Sequence, residues 1–315
     1  MRACLADVPS RKGEAVAGAG RVETGPSESD PPLSDLASSA PTQPSGTLSE
    51  TEKTSVKALG SGSAKVVHEV VRLRGEEELD RPLRSLLLSG FAAGVAISAS
   101  VLTEAFLHQR LPDAPWRELI VSLGYTVGFV IVILGKLQLF TESTVTAVLP
   151  VATRPSVRNL ARLLRLWAAV FTANMAGTLL VAALIAHRVI IGPETLKAAL
   201  DISRTLLTHG PGETVLFAMP AGFLIASVAW ILPNAKGSEF WVIALVTYVI
   251  ALGGFSHVVA GSVEAWLLFL VGETDLTGAL TQLILPALLG NLIGGTGLFA
   301  VVAHGQVRAE IETGA

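Results

Sequence analysis

Hydrophobic and polar positions divide the chain sharply. Residues 1–60, which include "GPSESDPPLSDLASSAPTQPSGTLSE", show no apolar periodicity and cannot bury enough surface to offset the entropy of ordering them. The expectation is a disordered tail over 1–63. From Ala64 onward, Val66, Val67, Val70, Val71 and Leu73 recur at helical spacing with charges between them. That pattern predicts an amphipathic juxtamembrane helix over 64–84, lying at the cytoplasmic membrane surface, with a solvated linker helix as the alternative. Beyond Arg84 the pattern turns into long apolar runs. At about 20 mainly apolar residues per bilayer crossing, they give six segments near 85–107, 119–150, 163–187, 214–233, 239–271 and 279–303, followed by a C-terminal tail over 304–315.

The second and fifth segments are longer than one crossing needs, and each is interrupted. The second carries "LGKLQLFTEST" at 134–144, with Gly135 at its break, and the fifth carries "LGGFSHVVAGS" at 252–262, with Gly253 and Gly254. Three spans reverse the direction of the chain, so two sets of three are inverted relative to each other. Paired interruptions in matching places of two inverted halves point to a binding site at the membrane midplane. Non-helical backbone at membrane depth survives only where it is buried in protein or lines a watered cavity. The fold class expected is therefore an all-α membrane protein of six transmembrane helices in two inverted three-helix repeats, aquaporin-like, with broken second and fifth helices. Glycine kinks or close helix contacts are the plain alternative for either break taken alone.

Composition reinforces this reading. Half of the 315 residues are hydrophobic and 16% are charged, and the net charge of -3, with no basic stripe, excludes a nucleic-acid partner. The one cysteine, Cys4, lies in the polar tail, so an internal disulfide or a thiol zinc cluster is excluded. No nucleotide loop, dinucleotide fingerprint or metal-ligand cluster stands out, so no cofactor and no metal is expected. The N-terminus lacks an apolar h-region, and the first span is expected to act as an uncleaved signal. Lys and Arg are denser before the first span and after the second than in the opposite loops, which predicts cytoplasmic termini in a multi-pass inner (plasma) membrane protein.

The titratable residues inside the apolar runs are the candidate chemistry. His257 sits in the fifth-segment break with similar apolar length on either side, and imidazole exchanges protons near neutral pH. Lys136 and Glu142 flank the other break, where the cation attracts an anion; a salt bridge between the two, or snorkelling of the lysine, is the alternative. Glu264, seven residues after His257 on the same helix face, is placed to pass protons toward it. Glu104 reads as an interfacial residue. Ser256 beside His257 suggests a nucleophile and base only superficially, since adjacent side chains point apart and no orienting carboxylate is near; an enzyme is not expected.

Several of these stretches carry a resemblance. "LFT" at 139–141, "RLW" at 165–167, "AN" followed by "AG" around Asn174, "VAW" ending at Trp230 and "GFSH" ending at His257 resemble, in order and spacing, the formate/nitrite transporter family, of which this chain looks like a divergent member. The resemblance covers about 85–303. It implies a homopentamer in the lipid bilayer, with a path through each protomer in which two apolar constrictions flank a central histidine. His257 matches that histidine, Thr141 the threonine of the loop that breaks the second helix, and Arg165 a vestibule lysine. Tyr125, Phe129, Leu139 and Ile250 fall at constriction positions, joined by Phe140 and Phe255 within the breaks. Departures from the family pattern are Ser256 for a glutamate, Gly261 and Gly222 for asparagines, and Gln138 for a loop acid. The implied function is transmembrane transport of formate, nitrite or a related short carboxylate, proton-coupled through the histidine. The alternatives are a passive gated channel for anions or small neutral solutes, and a membrane-anchored regulatory protein working through its tail.

Overall fold

The computed structural model of the chain describes residues 63–312, and every regular element among them is helical. Residues 1–62 of the expected tail, with Cys4, and residues 313–315 lie outside the described residues. Helix α1 (Ala64–Asp80) precedes a long helix, α2 (Leu83–His108), which is irregular at Ser98, where the hydroxyl bonds back to the Gly94 carbonyl at 2.9 Å. The second segment is split into α3 (Arg117–Leu134) and α4 (Ser143–Thr153), and α5 (Val157–Ala186) completes the first half. A connecting helix, α6 (Pro193–Ser203), leads to α7 (Pro211–Asn234), the split pair α8 (Glu239–Leu252) and α9 (Val258–Leu270), and α10 (Leu276–Arg308).

Five of these helices, α2, α3, α5, α7 and α10, are long and apolar enough to cross a membrane, and α4, α8 and α9 are shorter apolar helices. The chain is a multi-pass membrane protein. Its outer face exposes Leu216, Trp241, Leu245, Val301 and Val302, which suit lipid or another copy of the chain and not water.

Small residues set the packing inside each half. Gly94 of α2 lies against the backbone carbonyl of Asn174 on α5, and Gly222 of α7 lies against that of Asn291 on α10. A Cβ at either glycine has no room, because backbone stands where it would go. The halves also interlock. Thr296 on α10 donates to the Thr144 carbonyl on α4 at 2.7 Å, and Ser262 on α9 donates to the Thr178 hydroxyl on α5 at 2.9 Å, so each broken helix finishes against the last span of the other half.

Helix α1 differs from the expected surface helix. Its apolar stripe of Val67, Val71 and Leu79 is buried in protein, with Val67 and Val71 in a cluster that includes Leu149 and Trp230. Its carboxylates Glu76 and Asp80 hold Arg162 of α5 at 3.0 and 2.6 Å. The helix stops at Asp80 because Arg81, with ψ 138, is extended ahead of Pro82.

Candidate functional site

The two breaks are built alike. Each helix before a break ends with a residue in the left-handed region, Lys136 (φ 53) and Gly254 (φ 63). The next amide then returns to the helix: Leu137 N–H donates to Val132 O and Phe255 N–H to Ile250 O, both at 3.0 Å. One residue further on, the amide turns to the first span of its own half. Gln138 N–H donates to the Ser89 hydroxyl at 3.0 Å, and Ser256 N–H to the Phe217 carbonyl at 3.2 Å.

An asparagine on the last span of each half closes the break. Asn174 accepts from the Phe140 amide at 3.0 Å and donates to the carbonyls of Gly90 and Gln138 at 2.7 and 3.0 Å. Asn291 accepts from the Val258 amide at 2.8 Å and donates to the carbonyls of Ala218 and Ser256 at 2.8 and 2.9 Å. Both side chains are fully buried. Their three bonds settle backbone groups that have neither helix nor water to satisfy them. Asn291 was not singled out from the sequence, although Asn174 and Asn291 share the spacing N-x-x-G with Gly177 and Gly294.

At the residue after Gln138 or Ser256 the halves part company, with Leu139 in one and His257 in the other. His257 caps α9: its Nδ1 accepts the Ala260 amide at 3.2 Å, and its Nε2 lies 2.7 Å from the Thr141 hydroxyl in the opposite break. Because Nδ1 accepts, the neutral ring carries its proton on Nε2 and donates it to Thr141 Oγ1. The Phe129 ring stands edge-on to the imidazole at 4.9 Å, and the Tyr125 ring follows Phe129 at 5.0 Å. Phe129, Leu139, Thr141 and Ile250 are fully buried, and His257 is 1% exposed, so the middle of the molecule is a closed layer.

A cavity lies on each side of that layer. On the side of α1, a space of about 500 Å³ is lined by Arg74, Glu78, Arg81, Lys136, Gln138 and Glu142, among others. On the opposite side, a space of about 330 Å³ is lined by Glu104, Tyr125, Phe255, Ser256, His257 and Glu264, among others, with Gly254 at its edge. Lys136 and Glu264 therefore face different cavities.

Arg165, expected along the path, and Phe140, expected at a constriction, sit elsewhere. Arg165 lines neither cavity; its guanidinium donates to the carbonyls of Leu79 and Arg81 at 2.8 and 3.2 Å and anchors the end of α1. Phe140 turns toward α5, with its ring 6.0 Å from Trp167 and 5.2 Å from Phe171. Gly135 and Gly253 are helix-ending positions and line neither cavity; a side chain on Gly253 would meet the Phe255 ring.

The end of α1 covers the first break. Arg81 donates to the Gln138 side chain at 2.7 Å and Thr146 donates to Glu78 at 2.8 Å. Burial, with the Glu142 carboxylate next in importance, pushes Glu78 up to about 7. Higher on α1, His68 Nε2 lies 3.0 Å from His304 Nδ1 on α10, and burial together with His304 holds His68 below the ordinary imidazole range.

The model of the formate/nitrite transporter family matches residues 65–305. The chain belongs to the formate/nitrite transporter family. Inner membrane protein YfdC of Escherichia coli strain K12 is 40% identical over 248 residues, covering 79% of this chain and 80% of that protein. Formate channel BtFdhC of Bacillus thuringiensis is 26% identical over 250 residues, covering 73% of this chain and 90% of the channel. Among solved structures, a pentameric formate channel with formate bound superposes with a TM-score of 0.63 at 19% identity, over 72% of this chain and 98% of that one. Members of the family are transporters and channels, and this chain is not an enzyme.

Proposed function

We propose that this protein carries a small monovalent anion, formate or nitrite or a related short carboxylate, across the membrane together with a proton, along a path that joins the Lys136 cavity and the Glu264 cavity past His257. The observation that carries the reading is the seat of His257. A helix break places it between the two cavities, and its Nε2–H is held by Thr141 of the other break. A substrate that displaces Thr141 finds a donor already aimed at it. The formate channels among the relatives support the anion class.

A bare carboxylate at the bilayer centre carries a penalty of several kcal/mol, and Phe129, Leu139 and Ile250 around the imidazole offer it nothing polar. Passage of the neutral acid removes that penalty, which is why a proton accompanies the anion. On one side the anion meets the cations Lys136 and Arg74, interspersed with the carboxyls of Glu77, Glu78 and Glu142. The exposed apolar helix faces fit assembly as a pentamer, like the pentameric channel it superposes on, and the surplus of Lys and Arg at the α1 side supports cytoplasmic termini.

The test is uptake of formate, nitrite, acetate and lactate into proteoliposomes with the internal pH recorded. For the wild type, one of these anions enters with protons. In His257→Leu the loss of one buried donor, about 1–3 kcal/mol, lowers the rate roughly tenfold or more. Unchanged uptake in that variant defeats the reading. Anion current without a pH change favours the passive channel.

A further inference from the structure

The cavity above His257 is lined by four carboxylates, and the structure divides them into two kinds. At the mouth, Glu118 lies 3.6 Å from Arg117 and Asp201 lies 2.7 Å from Arg204, which also holds Glu273 at 2.6 Å. Deeper, Glu104 on α2 and Glu264 on α9 have neither a cation nor a hydrogen-bond donor on their carboxyl groups among the described residues. Glu104 is only 8% exposed. The carboxyl of Glu264 folds back along its helix toward His257, with Oε2 3.9 Å from the point where a Cβ on Gly261 would stand. A Cβ at Gly261 would stand in ordinary contact with that oxygen, so the carboxyl lies beside the bare backbone of Gly261.

A second observation is independent of the acids. The hydroxyls of Tyr125 and Ser122, one turn apart on α3, belong to side chains 8% and 6% exposed and have no protein partner among the described residues. Neither is sealed in packing; both open onto the cavity. Four polar groups from three helices thus converge on one space and leave their bonding capacity to whatever enters it. The charged and titratable groups around it are Glu118, His108, Asp201 and His257; no Lys or Arg lines it. His108 is engaged at the mouth, with Nε2 3.1 Å from Arg117.

We infer that Glu104 and Glu264 are the proton-exchange station of the path, and that His257 stays neutral and orients the substrate. This rests on the transport reading above and adds to it the source of the proton. A carboxylate can only accept hydrogen bonds; a carboxylic acid can donate one. With no Lys or Arg among the lining residues, the donors that meet an anion there are the Tyr125 and Ser122 hydroxyls and a carboxyl that carries a proton, and of these the carboxyl is the acid strong enough to give its proton up. The step is a transfer: the O–H bond of the glutamic acid breaks, an O–H bond forms on the anion, and the products are a glutamate and a neutral acid. Water at the Glu118 mouth returns the proton to the glutamate. His257 is a poor substitute, because protonating Nδ1 breaks its bond to the Ala260 amide and uncaps α9. The substrate class follows. Conjugate bases of weak monoprotic acids are carried; nitrate, whose acid is too strong to take a proton from a carboxyl, is not.

The experiment uses the full chain in proteoliposomes, with formate and nitrate as probes and an internal pH dye. Glu104→Gln with Glu264→Gln is expected to lower proton-coupled formate uptake about a hundredfold or more, the low end of what a positioned acid contributes, and to flatten its pH profile. Glu264→Asp keeps the pH profile at a reduced rate, and Tyr125→Phe lowers the rate without flattening it. Melting temperature and assembly size of each variant separate a lost proton from a lost fold. If the wild type moves no formate, the transport reading falls and this inference with it. If the wild type moves formate with protons and the double variant keeps both the rate and the pH profile, the station is overturned and the transport reading stands. Formate flux without protons in the wild type, or nitrate flux equal to formate flux, also overturns it.

Discussion

Where the second half of the molecule places His257, the first half places Leu139, on nearly the same backbone. The left-handed residue, the returning amide and the asparagine are common to both breaks, while the side chains that face the path differ: Lys136 against Gly254, Gln138 against Ser256, Leu139 against His257. The covering differs too. Both breaks border a cavity, but α1 reaches over the first through Arg81 and Glu78. A membrane protein must satisfy broken backbone before it can place chemistry there. The comparison teaches that these two tasks fall to different residues, so the skeleton stays symmetric while the path has two unlike ends.

Removing the shared skeleton is expected to have the largest effect. Asn174→Ala and Asn291→Ala each strand three buried backbone groups, and at about 1–3 kcal/mol per unsatisfied group either variant lowers the melting temperature or the yield of folded protein severely. The two losses should be alike, since the bonds correspond one for one. A mild loss in Asn291→Ala beside a severe one in Asn174→Ala breaks the comparison.

A smaller effect is expected at the left-handed positions. Lys136→Gly relieves a side chain held at φ 53, and Gly254→Ala introduces that strain at φ 63; each change is about 1–2 kcal/mol, with opposite signs. Thermal unfolding in one detergent measures both. Only Lys136→Gly should also weaken anion uptake, because it removes a cation from the α1-side cavity.

The smallest effect concerns the roof, and hydrogen exchange of α1 amides reads it. His68 titrates lower when α1 is docked than when it is released, so docking weakens as pH falls below about 6.5. Glu78 titrates higher when docked, at about 7 against 4.5, so docking also weakens as pH rises through that window. Glu78→Gln is expected to remove the alkaline arm and His68→Gln the acid arm, each by a few-fold in exchange rate. With the roof released, the first break resembles the second in accessibility.

Much of this was legible in the pattern of residues. Apolar runs located every span, and the glycines with Lys136 and His257 located both breaks, because helix length and backbone permissiveness are local properties. Thr141 and His257 were both named, but their direct bond joins positions 116 apart and has no local signature. The docking of α1 was missed for the same reason: an amphipathic stripe states that it must be covered, and lipid or protein can cover it. The helix Pro193–Ser203 falls between two of the apolar segments and no pattern singled it out, although Pro193 at its start and Glu194 in its first turn are ordinary helix-opening signals. Its length was too short to register beside the spans.

The asparagine clamps also bear on how the protein is made. Asn174 follows the amide it serves by 34 positions, and Asn291 follows its own by 33. During synthesis each interrupted segment therefore emerges a full helix ahead of the side chain that completes it. Until that helix arrives, its exposed amides and carbonyls are better left in the water-filled insertion machinery than released to lipid. Each half is then a unit of biogenesis, three spans that must leave the translocon together, and the two halves can be assembled one after the other.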